Sequence, residues 1–148
     1  MKIPVFDISL KPKEKKYLFD VIRNNNYTSG PYIKKFEDEF RKINKSKFNI
    51  SVSNGTNALH LCCLAVGIKK GDEVLVSSST NMASAFSIIY SGGIPIPIDI
   101  NKDTWQIDPN LIEKKISKRT KAIMVVHVFG QSVEMDKILK IAKKYKLK

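Results

Sequence analysis

The chain has 148 residues, of which 43% are hydrophobic and 27% charged, a composition typical of a globular domain rather than a disordered segment. No apolar run approaches the roughly 20 residues that cross a bilayer. The N-terminal residues 1–7 contain no apolar stretch or cleavage signal of a secretory peptide, so we expect a cytoplasmic protein.

The formal net charge of +12 makes nucleic acid a partner to consider. Almost all of this charge comes from lysines, which lie in short groups on predicted helices whose other face is apolar. Neither arginine forks nor interleaved aromatic residues accompany the lysines. We therefore favour a solvated lysine surface and no nucleic-acid site, with a basic, non-catalytic binding module as the rival function of another class.

The two cysteines, Cys62 and Cys63, are adjacent, which is the spacing of neither a redox pair nor a zinc half-site. We interpret both as small core residues in a reducing compartment, and we predict no metal site. His60 lies in the same apolar run and is predicted to pack there.

The first elements in chain order are helices over 12–24 and 32–43, separated by a loop from Tyr27 to Pro31. Strands and helices then alternate four times, which indicates βαβ units and a mostly parallel sheet with helices on both faces. Pro95 and Pro97 place the third strand at a sheet edge. The predicted strands cover 48–52, 73–76, 94–98 and 121–126, and the helices after them cover 57–66, 81–90, 108–115 and 135–145.

This pattern predicts a helical N-terminal segment over 1–47 and the first part of an α/β domain over 48–148. The sequence ends where a further strand would follow, so we expect the chain to be the N-terminal portion of a larger α/β protein.

The segment from Ser53 to Leu59 joins the first predicted strand to the next helix. Backbone N–H groups in the first turn of a helix lack internal partners, and the helix dipole adds positive potential there. Gly55 would let an anion approach the backbone, and the Thr56 hydroxyl could add a donor, so this is a possible phosphate site. The alternative is a plain N-cap supplied by Ser53 or Asn54.

The segment from Val52 to Leu59 resembles the SxGTxAL phosphate segment of the DegT/DnrJ-like aminotransferases, which are PLP-dependent enzymes of fold type I acting on sugar nucleotides. Six further segments resemble motifs of that family in the same order, and together they cover essentially the whole chain. They are Ser29-Gly30-Pro31 with Phe36-Glu37, Gly71-Asp72-Glu73-Val74, Gly93 to Asp99, Asp108-Pro109, Arg119 to Ile123, and His127 to Gln131 with Met135-Asp136.

The resemblance implies that Gly55 and Thr56 bind the phosphate of PLP, in an α/β large domain of the fold-type-I kind. Asn81 stands where the family has an aromatic residue against the cofactor ring, which implies that it is the ring neighbour. Thr28, Ser29 and Gly30 match a loop that approaches the sugar nucleotide in relatives, with a plain turn as the alternative. For His127, a cofactor contact and a structural role satisfied by backbone groups both remain open.

The implied reaction transfers an amino group from an amino acid, glutamate, to a keto group of a nucleotide-linked deoxysugar for polysaccharide or glycoconjugate biosynthesis. The full-length enzyme is expected to be a homodimer without a membrane partner. A keto-deoxysugar dehydratase of the same family is the alternative.

The resemblance places the Schiff-base lysine beyond Lys148, so we nominate no catalytic residue and expect the isolated chain to be inactive. It also implies that the strand over 48–52 pairs with a later strand, whereas the other three lie together.

Overall fold

The structure is a computed structural model that describes residues 8–148 as two compact units, one ending at Ser51 and the other running from Val52 to Lys148. The predicted division at residue 47 stays a prediction, and the predicted absence of a secretory peptide concerns residues 1–7, outside the described range. Within residues 8–148, every helix is too short or too polar to span a lipid bilayer.

The first unit contains two helices, α1 (Pro12–Arg23) and α2 (Pro31–Asn44), each with proline in its first turn. Proline suits this position because its fixed φ is helical and the missing N–H would have no partner there. Tyr32 on α2 donates a hydrogen bond from its hydroxyl to the Asp20 carboxylate on α1 at 2.8 Å. Both predicted helices are therefore confirmed, and the tyrosine–aspartate contact links them.

The predicted strand over 48–52 is wrong. Ser51 donates both its backbone N–H and its hydroxyl to the Glu37 carboxylate at 2.8 Å, and these two hydrogen bonds lower the pKa of Glu37. Phe48 and Ile50 remain 76% and 78% exposed. A strand needs a neighbouring backbone to pair with, and none of the strands in residues 8–148 pairs with this segment.

The second unit has three parallel strands in the order β2-β1-β3. This order confirms that the second, third and fourth predicted strands lie together, with the proline-containing strand at an edge. Its elements are α3 (Gly55–Ala65), β1 (Glu73–Ser77), α4 (Met82–Tyr90), β2 (Ile94–Ile98), α5 (Pro109–Ile112) continued by a 3₁₀ turn (Glu113–Lys115), β3 (Thr120–Met124) and α6 (Met135–Tyr145).

The central strand β1 is buried along its whole length, and its alternating side chains enter two separate cores. Leu75 packs with Ile112 of α5 and Ile138 of α6 on one face. On the other face, Val74 and Val76 pack with side chains of α3 and α4. Helices therefore cover both faces of the sheet, as the alternating pattern predicts.

Only one of the two adjacent cysteines belongs to the core. Cys63 is 4% exposed and packs on the sheet, which confirms its interpretation as a core residue. The same prediction for Cys62 is wrong, because its side chain is exposed. Successive residues on a helix point about 100° apart, so only one of the pair can face the strands.

The turn from α4 into β2 requires two glycines. Gly92 has a φ of +83°, in the left-handed region that favours glycine. Gly93 lies so close to the core that a Cβ there would be 2.8 Å from Ile68 Cγ2 and 3.0 Å from Ile88 Cγ2. The short connection therefore brings α4 back onto the sheet with no room for a side chain.

A buried carboxylate ties β1 to β3 at the amino edge of the sheet. The side chain of Glu73 is 6% exposed and accepts hydrogen bonds from the Ser117 hydroxyl and the Arg119 guanidinium. The Ser117 hydrogen bond, followed by the Arg119 contacts, holds the pKa of Glu73 below its ordinary value of 4.5. The charged form of Glu73 is therefore the form that stabilises this end of the sheet.

We expect Glu73→Gln to lower the unfolding midpoint at neutral pH and to flatten its acid dependence. A folded-state pKa below the unfolded value contributes stability that is present above the unfolded pKa and is lost as pH falls through the folded pKa. Urea unfolding of wild type and variant between pH 7 and pH 3 should therefore converge below the ordinary pKa of 4.5. Glu134→Gln, which removes an exposed pair with Lys137, is the matched control and should behave like wild type.

Candidate functional site

The N-termini of α3 and α4 lie at the carboxyl edge of the sheet. Helix α3 packs on the strands and reaches the start of β1 through residues 66–72, so it runs antiparallel to β1. Helix α4 begins at Met82, after the short loop 78–81 that follows the end of β1 at Ser77. The fold therefore brings Gly55, Thr56 and Asn81 to the edge at which open α/β sheets bind ligands.

The first turn of α3 has two backbone donors without a partner in the described part of the chain. Asn54 is the N-cap, and its Oδ1 accepts a hydrogen bond from the Asn57 N–H at 3.0 Å, while its carbonyl accepts from Ala58. Neither the Gly55 nor the Thr56 N–H has an acceptor among residues 8–148. Asn54, rather than Ser53, therefore caps the helix, and the cap leaves free the two amides that the resemblance assigns to phosphate.

Ser53 and Asn57 hold this turn in place. The Ser53 hydroxyl accepts from Asn57 Nδ2 at 2.8 Å and from Asn54 Nδ2 at 3.2 Å. Because the hydroxyl oxygen accepts twice, its own proton is directed away from both amides. Asn57 is not among the site residues predicted from the sequence; its signal is a polar side chain four positions after Ser53, the spacing that brings two side chains together on a helix.

The space around Gly55 fits an anionic group. A Cβ built on Gly55 would meet no atom within 4 Å outside its chain neighbours and its own helix backbone, so the space on this side of the glycine is open in the described chain. Thr56 is half-buried and Gly55 is exposed. Two free N–H groups, an open approach and the positive end of a helix dipole are the features that a phosphate ester such as that of PLP requires.

Asn81 is the N-cap of α4, with its Oδ1 accepting from the Ala83 N–H at 2.9 Å. This hydrogen bond fixes the plane of an exposed side-chain amide at the carboxyl edge. The capping role explains why an asparagine is favourable at this position. The assignment of Asn81 as the neighbour of the cofactor ring stays a prediction.

The structure gives both histidines structural contacts. His127 Nδ1 accepts a hydrogen bond from the Val133 N–H at 3.2 Å, which closes the turn after β3 and supports the structural interpretation. The His60 ring lies edge-on to the Tyr90 ring at 5.9 Å, which confirms packing against α4.

Thr28, Ser29 and Gly30 form the loop between α1 and α2. Thr28 and Ser29 are exposed, and Gly30 is the N-cap of α2 with an extended backbone. A Cβ on Gly30 would lie 3.0 Å from the Cβ of Asn26, so the loop is closely packed at this glycine. The role of this loop in substrate binding stays a prediction.

The parallel sheet with helices on both faces and the anion-type helix terminus at its carboxyl edge define an open α/β protein with a phosphate-type ligand site. A model of the DegT/DnrJ/EryC1/StrS aminotransferase family matches residues 9–148. The chain therefore belongs to this family of PLP-dependent aminotransferases, and the predicted fold class and cofactor are confirmed.

Two relatives of this chain have names that specify a sugar. The chain is 45% identical over 142 residues to the GDP-perosamine synthase of Escherichia coli O157:H7, covering 95% of this chain and 39% of the relative. It is 39% identical over 131 residues to the 3-oxo-glucose-6-phosphate:glutamate aminotransferase of Bacillus subtilis, covering 88% of this chain and 30% of the relative. The chain thus spans between 30% and 39% of the length of these two proteins.

A solved structure of the PLP form of the sugar aminotransferase Spr1654 from Streptococcus pneumoniae has the same fold. The two chains superpose with a TM-score of 0.90 at 28% identity, over 98% of this chain and 37% of Spr1654. The similarity therefore extends over both units of the chain.

We expect Gly55→Asp to abolish PLP binding by the whole protein, because its carboxylate would occupy the anion position beside the free Gly55 and Thr56 amides. An aspartate in the first turn favours the helix, so the variant should remain folded. Cofactor absorbance after gel filtration measures the retained PLP. Gly55→Asn has the same size without the charge and should retain more PLP, whereas unchanged binding by Gly55→Asp would remove the phosphate assignment.

We expect Asn81→Tyr to preserve or tighten PLP binding, because an aromatic ring adds about 0.5–1.5 kcal/mol of stacking. It also removes the cap, which should lower unfolding stability by about 1 kcal/mol. Asn81→Ala removes both the helix cap and the planar side-chain amide, so this variant should bind PLP more weakly than Asn81→Tyr. Equal PLP affinities for the two variants, measured by equilibrium dialysis, would mean that Asn81 serves only as a cap.

Proposed function

We propose that the whole protein is a PLP-dependent aminotransferase that transfers an amino group from glutamate to a keto group of a nucleotide-linked deoxysugar. The observation that supports this proposal most strongly is the family match over residues 9–148. The matched range includes the N-terminus of α3, whose two first-turn amides have no partner in the described chain. The name of the GDP-perosamine synthase supports a nucleotide-linked sugar, and that of the Bacillus subtilis relative supports glutamate as donor.

The residues of α3 have defined tasks in this proposal. The Gly55 and Thr56 N–H groups, with the Thr56 hydroxyl, bind the cofactor phosphate, and Asn54 fixes their direction through its cap on Asn57. PLP, when bound, supplies an aldehyde that carries the amino group between donor and acceptor. Asn81 lies beside the cofactor ring, where its capped amide is held in one orientation.

We place the further parts of the active site in the portion of the relatives that this chain does not match. The chain matches 39% of the GDP-perosamine synthase, and we assign the Schiff-base lysine to the remainder of the whole protein. Thr28, Ser29 and Gly30 approach the sugar nucleotide in this proposal, and the whole protein is a homodimer. Residues 1–47 form its N-terminal helical segment, and residues 48–148 form the first part of its large domain.

The test is a nitrogen-transfer assay with the whole protein, PLP, ¹⁵N-glutamate and nucleotide-linked keto-deoxysugars bearing GDP, dTDP or UDP. We expect equal amounts of 2-oxoglutarate and a ¹⁵N-labelled amino sugar nucleotide, measured by mass spectrometry. The Gly55→Asp variant is the control, and it should yield neither product.

Two results would contradict the proposal. Loss of a sugar hydroxyl without incorporation of ¹⁵N would establish the dehydratase instead. Retention of DNA with a steep salt dependence, together with failure to bind PLP, would favour the basic binding module.

A further inference from the structure

Three loops at the carboxyl edge of the sheet enclose a cleft of about 440 Å³. The loop after β1 contributes Ser79, and residues 103–106 after β2 contribute one wall. Val128, Phe129 and Gln131 after β3 contribute the other wall. Clefts of this size are typical of small-molecule sites. The phosphate-type site at Gly55 and Thr56 uses none of these residues.

The wall after β2 is rigid. An antiparallel bridge between Ile100 and Ile107 closes the loop at its base. Within it, Asn101 Oδ1 accepts from the N–H groups of Asp103 and Thr104 at 2.9 and 3.2 Å. The Asn101 carbonyl also accepts from the Trp105 N–H at 2.8 Å. A loop closed by so many hydrogen bonds holds its side chains in place before any ligand arrives.

The two walls are joined by one amide. Gln106 is 4% exposed, and its side chain donates from Nε2 to the Val128 carbonyl and accepts on Oε1 from the Val128 N–H, both at 3.3 Å. We call this contact the Gln106 clamp. It fixes the separation of the loops after β2 and β3, and therefore the width of the cleft.

Two large aromatic side chains line this cleft while facing solvent. Trp105 is 65% exposed and Phe129 is fully exposed. Both have left-handed backbones, with φ of +60° and +54°. Such strain in a bulky residue persists where the surroundings impose it, and it concentrates at ligand sites. One aromatic residue is thus presented on each wall.

The cleft lacks the charge that a phosphate would need. The chain carries a net charge of +12, yet among residues 8–148 no lysine or arginine lines the cleft, and Asp103 is the only charged residue that does. Aromatic faces beside a carboxylate suit a flat, neutral ring with N–H donors on its edge. A phosphate or a second carboxylate would be repelled by Asp103.

We propose that this cleft binds the nucleobase of the sugar nucleotide, and this proposal rests on the proposed function. The base stacks on Trp105 and Phe129, and the Asp103 carboxylate accepts hydrogen bonds from the N–H groups on the edge of the base. Guanine fits best, because it offers two adjacent N–H donors to one carboxylate, whereas uracil and thymine offer one. The cleft therefore selects a GDP-linked sugar over UDP- and dTDP-linked sugars.

The test measures binding of guanosine, uridine and a methyl pyranoside to the whole PLP-loaded protein by isothermal titration calorimetry. We expect guanosine to bind in preference to uridine and the pyranoside not to bind. Trp105→Ala should weaken guanosine binding about tenfold or more, which is the range for loss of one base–aromatic stack. Trp105→Phe should restore most of the affinity, and Asp103→Asn should reduce the preference for guanosine over uridine.

Tyr90→Ala is the matched control, because Tyr90 is 60% exposed and lies outside the cleft. It should leave guanosine affinity unchanged. The proposal is overturned by absence of nucleoside binding, by binding of the pyranoside alone, or by an unchanged guanosine affinity in Trp105→Ala. If guanosine binding depends on Trp105 but no ¹⁵N is transferred, the assignment of the cleft is supported and the proposed function is contradicted.

Discussion

The arrangement of the second unit depends on the burial of β1 on both faces. Leu75 requires a hydrophobic partner on one side and Val74 and Val76 require one on the other, so helices must cover both faces. Each parallel connection then has to return across the sheet, which gathers strand ends and helix N-termini at a single edge. The unpaired amides of α3 and the cleft beside Trp105 both result from this constraint.

Features set by local sequence were predictable. The spacing of apolar residues predicts a helix over 135–145, and α6 has these bounds in the structure. The glycine and threonine after Asn54 indicate a helix N-terminus that can bind an anion. The segment 48–52 has strand-like residues, but a strand depends on a distant partner that local spacing does not reveal, and the Glu37 carboxylate binds its backbone instead. The Gln106 clamp could not be predicted either, because it joins residues 22 positions apart through a contact that only folding creates.

The two edges of the sheet have different chemical characters. At the amino edge, the Glu73 carboxylate is enclosed by hydrogen bonds to Ser117 and Arg119, so its bonding capacity is used within the protein. At the carboxyl edge, by contrast, amides and aromatic rings remain open to a ligand. The buried pair can thus hold β1 against β3 without competing for the groups that bind a cofactor or substrate.

The Gln106 clamp also bears on how the loops can diverge among related proteins. Its hydrogen bonds are to the backbone of residue 128, so they do not depend on which side chain stands at that position. Position 106 has less freedom, since a shorter or apolar side chain would leave the partly buried N–H of Val128 without this acceptor. An insertion that moved Gln106 would also release the loop after β3, so the two loops are mechanically coupled through this one side chain.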